Sequence, residues 1–121
     1  MRVILSALAL FITAGAMIAR AQAPTTKIVG IGAATCMEFA DNLDTTPAIA
    51  RDYLAWAQGF MSGILLSRPT GIDESLDLNP PGFGLLQQLE FLRQHCFRNP
   101  SQDFSDAVVT LYKTFRQKPS R

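Results

Sequence analysis

A chain of 121 residues has room for one domain and no more. Its 11 Lys/Arg nearly balance its 10 Asp/Glu, and that near-neutral charge excludes the strongly basic surface of a nucleic-acid binder. With two cysteines and one histidine, the chain has too few soft ligands for a structural metal site.

Residues 1–21 read as a cleaved signal peptide. Arg2 opens a short basic start, Val3 to Ile18 is nearly continuous apolar sequence, and Ala19-Arg20-Ala21 fits a small-x-small cleavage site. Cleavage after Ala23 would leave Pro24 at the first mature position, which signal peptidases tolerate poorly, so the mature chain is expected to begin at Gln22. The apolar run is short for a membrane span, no cysteine closes it for a lipid anchor, and nothing after it is long and apolar enough to cross a bilayer. Removing Arg2 and Arg20 leaves nine basic against ten acidic residues, a net charge of −1. The product is expected in the periplasm or outside the cell. In that oxidising compartment Cys36 and Cys96 most simply form one disulfide. Closing a loop of about 60 residues stabilises a fold by about 4 kcal/mol in the chain-entropy model.

Residues 22–34 begin as a polar leader and become the glycine-spaced apolar segment Ile28 to Gly32, which suits either a short strand or an arm laid on the helices. Its two glycines lack the third glycine and the following βαβ unit of a dinucleotide fingerprint. Thr35-Cys36-Met37-Glu38 has the form of a capping box, and a short helix to about Leu43 would place Cys36, Phe39, Ala40 and Leu43 on one face. Residues 46–66 form the longest expected helix, with Thr46 as cap and Pro47 in the first turn. Ile49, Tyr53, Trp56, Phe60 and Ile64 share its apolar stripe, widened by Ala57 and Met61. Ala55, Gly59 and Gly63 beside that stripe leave room for a second backbone, and the other helices are expected to pack around this one.

Residues 67–84 break the period with prolines, glycines and the carboxylates Asp73, Glu74 and Asp77. The EF-hand spacing is missing, so a solvated acidic surface loop is expected. From Leu85 to Cys96 the helical period returns, with Leu85, Leu89, Leu92 and Cys96 on one stripe. Pro100 ends that helix. The last helix, about Gln102 to Arg116, turns Phe104, Val108, Leu111 and Phe115 inward, sets Tyr112 at the edge, and gathers Lys113, Arg116, Lys118 and Arg121 at a solvated basic end. The fold class is therefore all-α: a small four-helix domain over 22–121 closed by one disulfide.

No constellation for catalysis emerges. His95 is adjacent to Cys96, and neighbouring helix residues point about 100° apart. No serine lies in a Gly-x-Ser-x-Gly elbow. A non-enzymatic binding or structural role without cofactor or metal is expected. Phe83, Phe91 and Phe97 surround the third helix; they pack on the loop and first helix or else form an apolar patch for a partner.

Thr35-Cys36-Met37-Glu38-Phe39, the tryptophan-bearing Leu54-Ala55-Trp56-Ala57 and the run His95-Cys96-Phe97-Arg98-Asn99-Pro100 together resemble the HdeA/HdeB family of periplasmic acid-stress chaperones. The resemblance implies a small helical protein without cofactors, a folded dimer near neutral pH that loosens in acid and holds unfolding periplasmic proteins in solution. It implies that Cys36 and Cys96 are the family disulfide and that Tyr53, Leu54, Trp56 and Phe60 belong to the apolar segment that packs a dimer or a client. Phe91 joins them as a candidate for the binding face. Gly59, Gly63, the 67–84 loop and the 28–34 arm are more similar to exported bacterial proteins loosely related to these chaperones. A weaker likeness, over 81–100 and the last helix, is to the Rap1a/Tai-type immunity proteins, which implies one specific toxin as partner. A subunit of an envelope complex is the third reading. For the chaperone, acid titration of the carboxylates would carry the mature chain to about +10, from nine Lys/Arg plus His95, and self-repulsion would loosen its packing.

Overall fold

The computed structural model describes residues 27–117. The expected signal peptide and cleavage site, the polar leader to Thr26, and Lys118 and Arg121 lie outside the described residues. Among those described, four α-helices form the domain: α1 (Cys36–Thr45), α2 (Ala50–Leu66), α3 (Leu85–Arg98) and α4 (Phe104–Gln117). No helix among them is long and apolar enough to cross a membrane.

The capping box forms as the sequence pattern requires. Glu38 N–H donates to Thr35 Oγ1 at 3.1 Å, and Thr35 N–H donates to Glu38 Oε2 at 2.7 Å. These bonds to Thr35, the backbone one first, hold the Glu38 carboxyl below its usual range. The start of α1 is also tied to the α3–α4 turn: Cys36 N–H donates to Gln102 O at 2.7 Å, Met37 N–H to Pro100 O at 3.0 Å, and Phe104 N–H to Ala34 O at 2.8 Å. At this same point Cys36 and Cys96 are bonded, with their Cα atoms 4.7 Å apart.

The strand alternative for 28–34 is not realised. Gly30–Ala33 is a 3-10 turn, and the nearest approach to a ladder is the single bridge between Thr35 and Asp103. The segment is an arm laid on α2. Gly32 is buried under the Trp56 ring so closely that a Cβ there would lie 2.0 Å from it, and only glycine tolerates that approach.

Helix α2 begins later than its sequence pattern suggested. Thr46 makes no side-chain cap, and Pro47 opens a separate 3-10 turn, Pro47–Ile49, closed by Ile49 N–H to Thr46 O at 2.9 Å. Tyr53, Ala57 and Met61 are the residues α2 buries; Trp56, Phe60 and Ile64 are half-buried on one edge and Leu54 and Leu65 on the other. Ala55, Gly59 and Gly63 instead face outward, and a Cβ at either glycine would meet nothing within 4 Å. They lie across the helix from the Tyr53–Met61 face, so no backbone approaches them.

The most enclosed helix is α4, rather than the longest one. It buries Phe104, Ser105, Ala107, Val108, Leu111, Tyr112 and Phe115. Phe39, Tyr53 and Phe104 join α1, α2 and α4 in an aromatic cluster with ring centres 4.7 to 4.8 Å apart. Each such ring pair contributes roughly 0.5–1.5 kcal/mol beyond its buried area. On α3 the buried line is Gln88, Leu92 and Cys96, whereas Leu85, at the first turn, is exposed.

Candidate functional site

The five residues expected to form a binding face do not share one surface. Tyr53 has no exposed surface; its ring belongs to the aromatic cluster and its hydroxyl accepts from Asn42 Nδ2 at 2.9 Å. Leu54 sits on the edge of α2 opposite Trp56, because two residues turn a helix by about 200°. Trp56 and Phe60 do come together, stacked with ring centres 4.8 Å apart, and the Gly30–Ala33 turn lies against the Trp56 ring. Phe91 is on α3, stacked on His95 at 6.4 Å. What the sequence pattern presents as a face is a two-ring patch under an arm plus a separate half-buried ring.

A second region was hidden in the 67–84 loop, where a solvated acidic cluster was expected. Asp73 is instead tucked in, with 9% of its side chain exposed, and its carboxylate takes three side chains, one from its own loop and two from α4. Tyr112 Oη donates to Oδ2 at 2.9 Å, Arg116 Nε donates to Oδ1 at 2.9 Å, and Arg68 Nε forms an ion pair with Oδ2 at 3.2 Å. Arg116 is thus committed to this site, not freely solvated. Burial alone would push the Asp73 carboxyl up, but the Tyr112 bond and then the bond and charge of Arg116, with the charge of Arg68, outweigh it and hold the carboxyl below its ordinary value. Tyr112 is shifted upward, first by burial and then by the neighbouring carboxylate. Asp73 itself has φ +59°, a left-handed conformation uncommon outside glycine and kept here by that set of partners.

The carboxylate clasp secures an apolar lid. Leu76, Leu78 and Phe83 pack against the core, and Phe83 meets Phe115 edge-on at 5.5 Å. The far end of the lid is tied by Gln88, a buried amide whose Nε2 donates to Leu78 O at 2.9 Å and Phe83 O at 3.1 Å while its Oε1 accepts from Gln58. Period reasoning could have found Gln88, since it lies four residues before Leu92 and eight before Cys96 on the buried line. No local pattern marks Asp73, whose α4 partners are 39 and 43 residues away.

A third feature is a groove between α1 and α3 with a volume of about 350 Å³. Phe39, Ala40 and Leu43 line its α1 side, and Asp44, Glu90, Arg93 and Arg98 bring two charges of each sign. Arg93 Nη2 lies 3.9 Å from Asp44 Oδ1 across it. Phe97 stands on its wall with 86% of its surface exposed. No protein-family model, curated protein or solved structure matches the chain.

Proposed function

We propose that this chain is an exported, non-enzymatic binding protein that acts in acid stress, holding unfolding periplasmic proteins on apolar surface that opens when the pH falls. The observation that carries the reading is the Asp73 clasp, which secures the Leu76–Phe83 lid through one carboxylate.

Two kinds of restraint differ in their response to acid. The Cys36–Cys96 bond does not titrate and keeps α1 joined to α3. The Asp73 carboxyl, held below its usual range, contributes stability at pH values above about 4 and loses it as pH drops through the depressed value. Below that point Tyr112 and Arg116 lose their charged acceptor while the whole chain gains positive charge. Lifting the lid uncovers the Phe83–Phe115 contact and the core beneath, with the disulfide preventing a general unfolding.

The test is light scattering of a periplasmic extract brought to about pH 2–3, near and below the carboxylate range, with the chain from Gln22 to Arg121 added in oxidised and reduced forms. Suppressed aggregation that depends on the disulfide is the expected result. Asp73→Asn, which retains the shape but not the charge, should bind an apolar dye already at neutral pH. Unchanged scattering, with the helices intact, would move the assignment to one specific neutral-pH partner, a toxin or an envelope complex.

A further inference from the structure

Three helix ends meet at the lid. The Tyr112 and Arg116 bonds to Asp73 bring the end of α4 to the loop, the Arg68 ion pair brings the end of α2, and the Phe83–Phe115 contact brings the start of α3. Every exposed leucine among the described residues lies at this end. Leu66 is the last residue of α2, with 87% of its surface exposed; Leu85 and Leu86 open α3, and Leu86 is 77% exposed. Ile72, whose N–H closes a turn on Pro69 O at 3.0 Å, is a fourth exposed aliphatic. Helix side chains tilt toward the N-terminus, so Leu85 and Leu86 lean past the start of α3 rather than back over the domain. Leu76, Leu78 and Phe83 make the packing of the lid on the core, and these four aliphatics take no part in it.

The charges around them favour one sign. From Tyr53 to Ser67 no residue is charged, and α3 carries no charge before Glu90. The loop carboxylates are turned into the chain: Asp73 to the clasp, Glu74 to Gly71 N–H at 2.6 Å, and Asp77 to Asn79 N–H at 2.8 Å. Against them stand Arg68, Lys113 and Arg116, followed in sequence by Lys118 and Arg121. Lys113 is exposed and has no ion-pair partner among the described residues.

Exposed aliphatics bordered by cations match an anionic lipid surface, where the apolar side chains sink below the headgroups and the cations meet the phosphates. Leucine is under-represented among the residues that anchor protein partners, so the composition of this end favours lipid over a protein.

We propose that the lid end of the domain docks on the surface of an anionic phospholipid bilayer, with Leu66, Ile72, Leu85 and Leu86 in the headgroup layer and Arg68, Lys113 and Arg116 at the phosphates. The contact is peripheral, since no helix among the described residues is long and apolar enough to span a membrane. It concerns the folded chain at neutral pH with the lid closed and does not depend on the acid reading.

Vesicle flotation at pH 7 and low salt tests this with the oxidised chain from Gln22 to Arg121, using vesicles of phosphatidylcholine alone or with about one-third phosphatidylglycerol. The chain should float with the anionic vesicles, stay behind with the neutral ones, and be released in about 1 M salt, where the screening length is about 3 Å. Leu66→Ser combined with Leu86→Ser should lower the partition coefficient about tenfold or more. Lys113→Glu should lower it about fivefold or more. Phe97→Ser, at the opposite end of α3, should leave it unchanged. All four positions are exposed, so each variant should keep the parent's circular dichroism. Failure to float with anionic vesicles would overturn the proposal, and so would equal binding to both compositions or binding that needs Phe97 and not the leucines. A protein complex governed by the leucine pair in a chain that ignores vesicles would also overturn it and assign this end to that protein.

Discussion

The two ends of this domain are closed by opposite means. Where α1 meets the α3–α4 turn, closure is covalent and backbone-made: the Cys36–Cys96 bond, the Thr35–Glu38 box and three main-chain hydrogen bonds around them. Where the 67–84 loop crosses α4, closure rests on side chains, with Asp73 held by Tyr112, Arg116 and Arg68 and the buried amide of Gln88 at the other end of the lid. In the first kind of closure acid reaches only the exposed Glu38 carboxylate of the box and leaves the disulfide and main-chain bonds in place, while the second hangs on a single carboxylate that acid neutralises.

Removing the covalent closure should have the largest effect. Replacing both Cys36 and Cys96 by Ala is expected to cost about 4 kcal/mol in urea unfolding, from a loop of 60 residues. A loss comparable to that of a surface substitution would mean that the main-chain ties hold this end without the bond.

The arm offers a smaller challenge to the same end. Gly32→Ala places a methyl group within the volume of the Trp56 ring, so either the arm lifts or the ring turns, at a cost of roughly 1–3 kcal/mol. Trp56 is the chain's single tryptophan, and its emission should shift toward the red as the cover is lost. An unchanged spectrum and melting temperature would show that the arm does not cover Trp56 in solution.

Removing the ionic closure should affect overall stability least, because it frees one loop. Amide protection across 70–83, taken relative to the intrinsic exchange rate at each pH, should fall as pH drops below about 4, the ordinary carboxylate range, since the depressed Asp73 carboxyl stabilises above that value and loses its effect as pH falls through its lowered value. In Asp73→Asn that protection should already be low at pH 7 and change little with acid, while the amides of α4 near Phe104 stay protected. Equal protection in both proteins would remove the distinction between the two ends.

Much of the fold was legible before any coordinates. Thr35 and Glu38 are three residues apart and meet within one helical turn, so their box can be read locally. The same holds for Phe104, Val108, Leu111 and Phe115, whose period alone puts them on one buried face of α4. Two cysteines with no other partner leave one pairing, and the structure closes it. The candidate face was much less legible. A helical stripe identifies the residues that turn toward something but not which of them are covered, and so Tyr53 was grouped with Trp56 although a cluster from three helices encloses it. Ala55, Gly59 and Gly63 have the composition of a close helix contact, yet they lie on the side no element reaches.

By itself the sequence determined the helices, their inward residues and the cysteine pair, because capping, period and the small number of thiols act over short distances or leave no choice. Only the tertiary structure decided which helix lies at the centre, that the arm fits a glycine beneath Trp56, and that Asp73 is a clasp and not a solvated charge. Those outcomes depend on partners brought together across tens of residues, and no local spacing encodes which distant side chain will complete a buried charge.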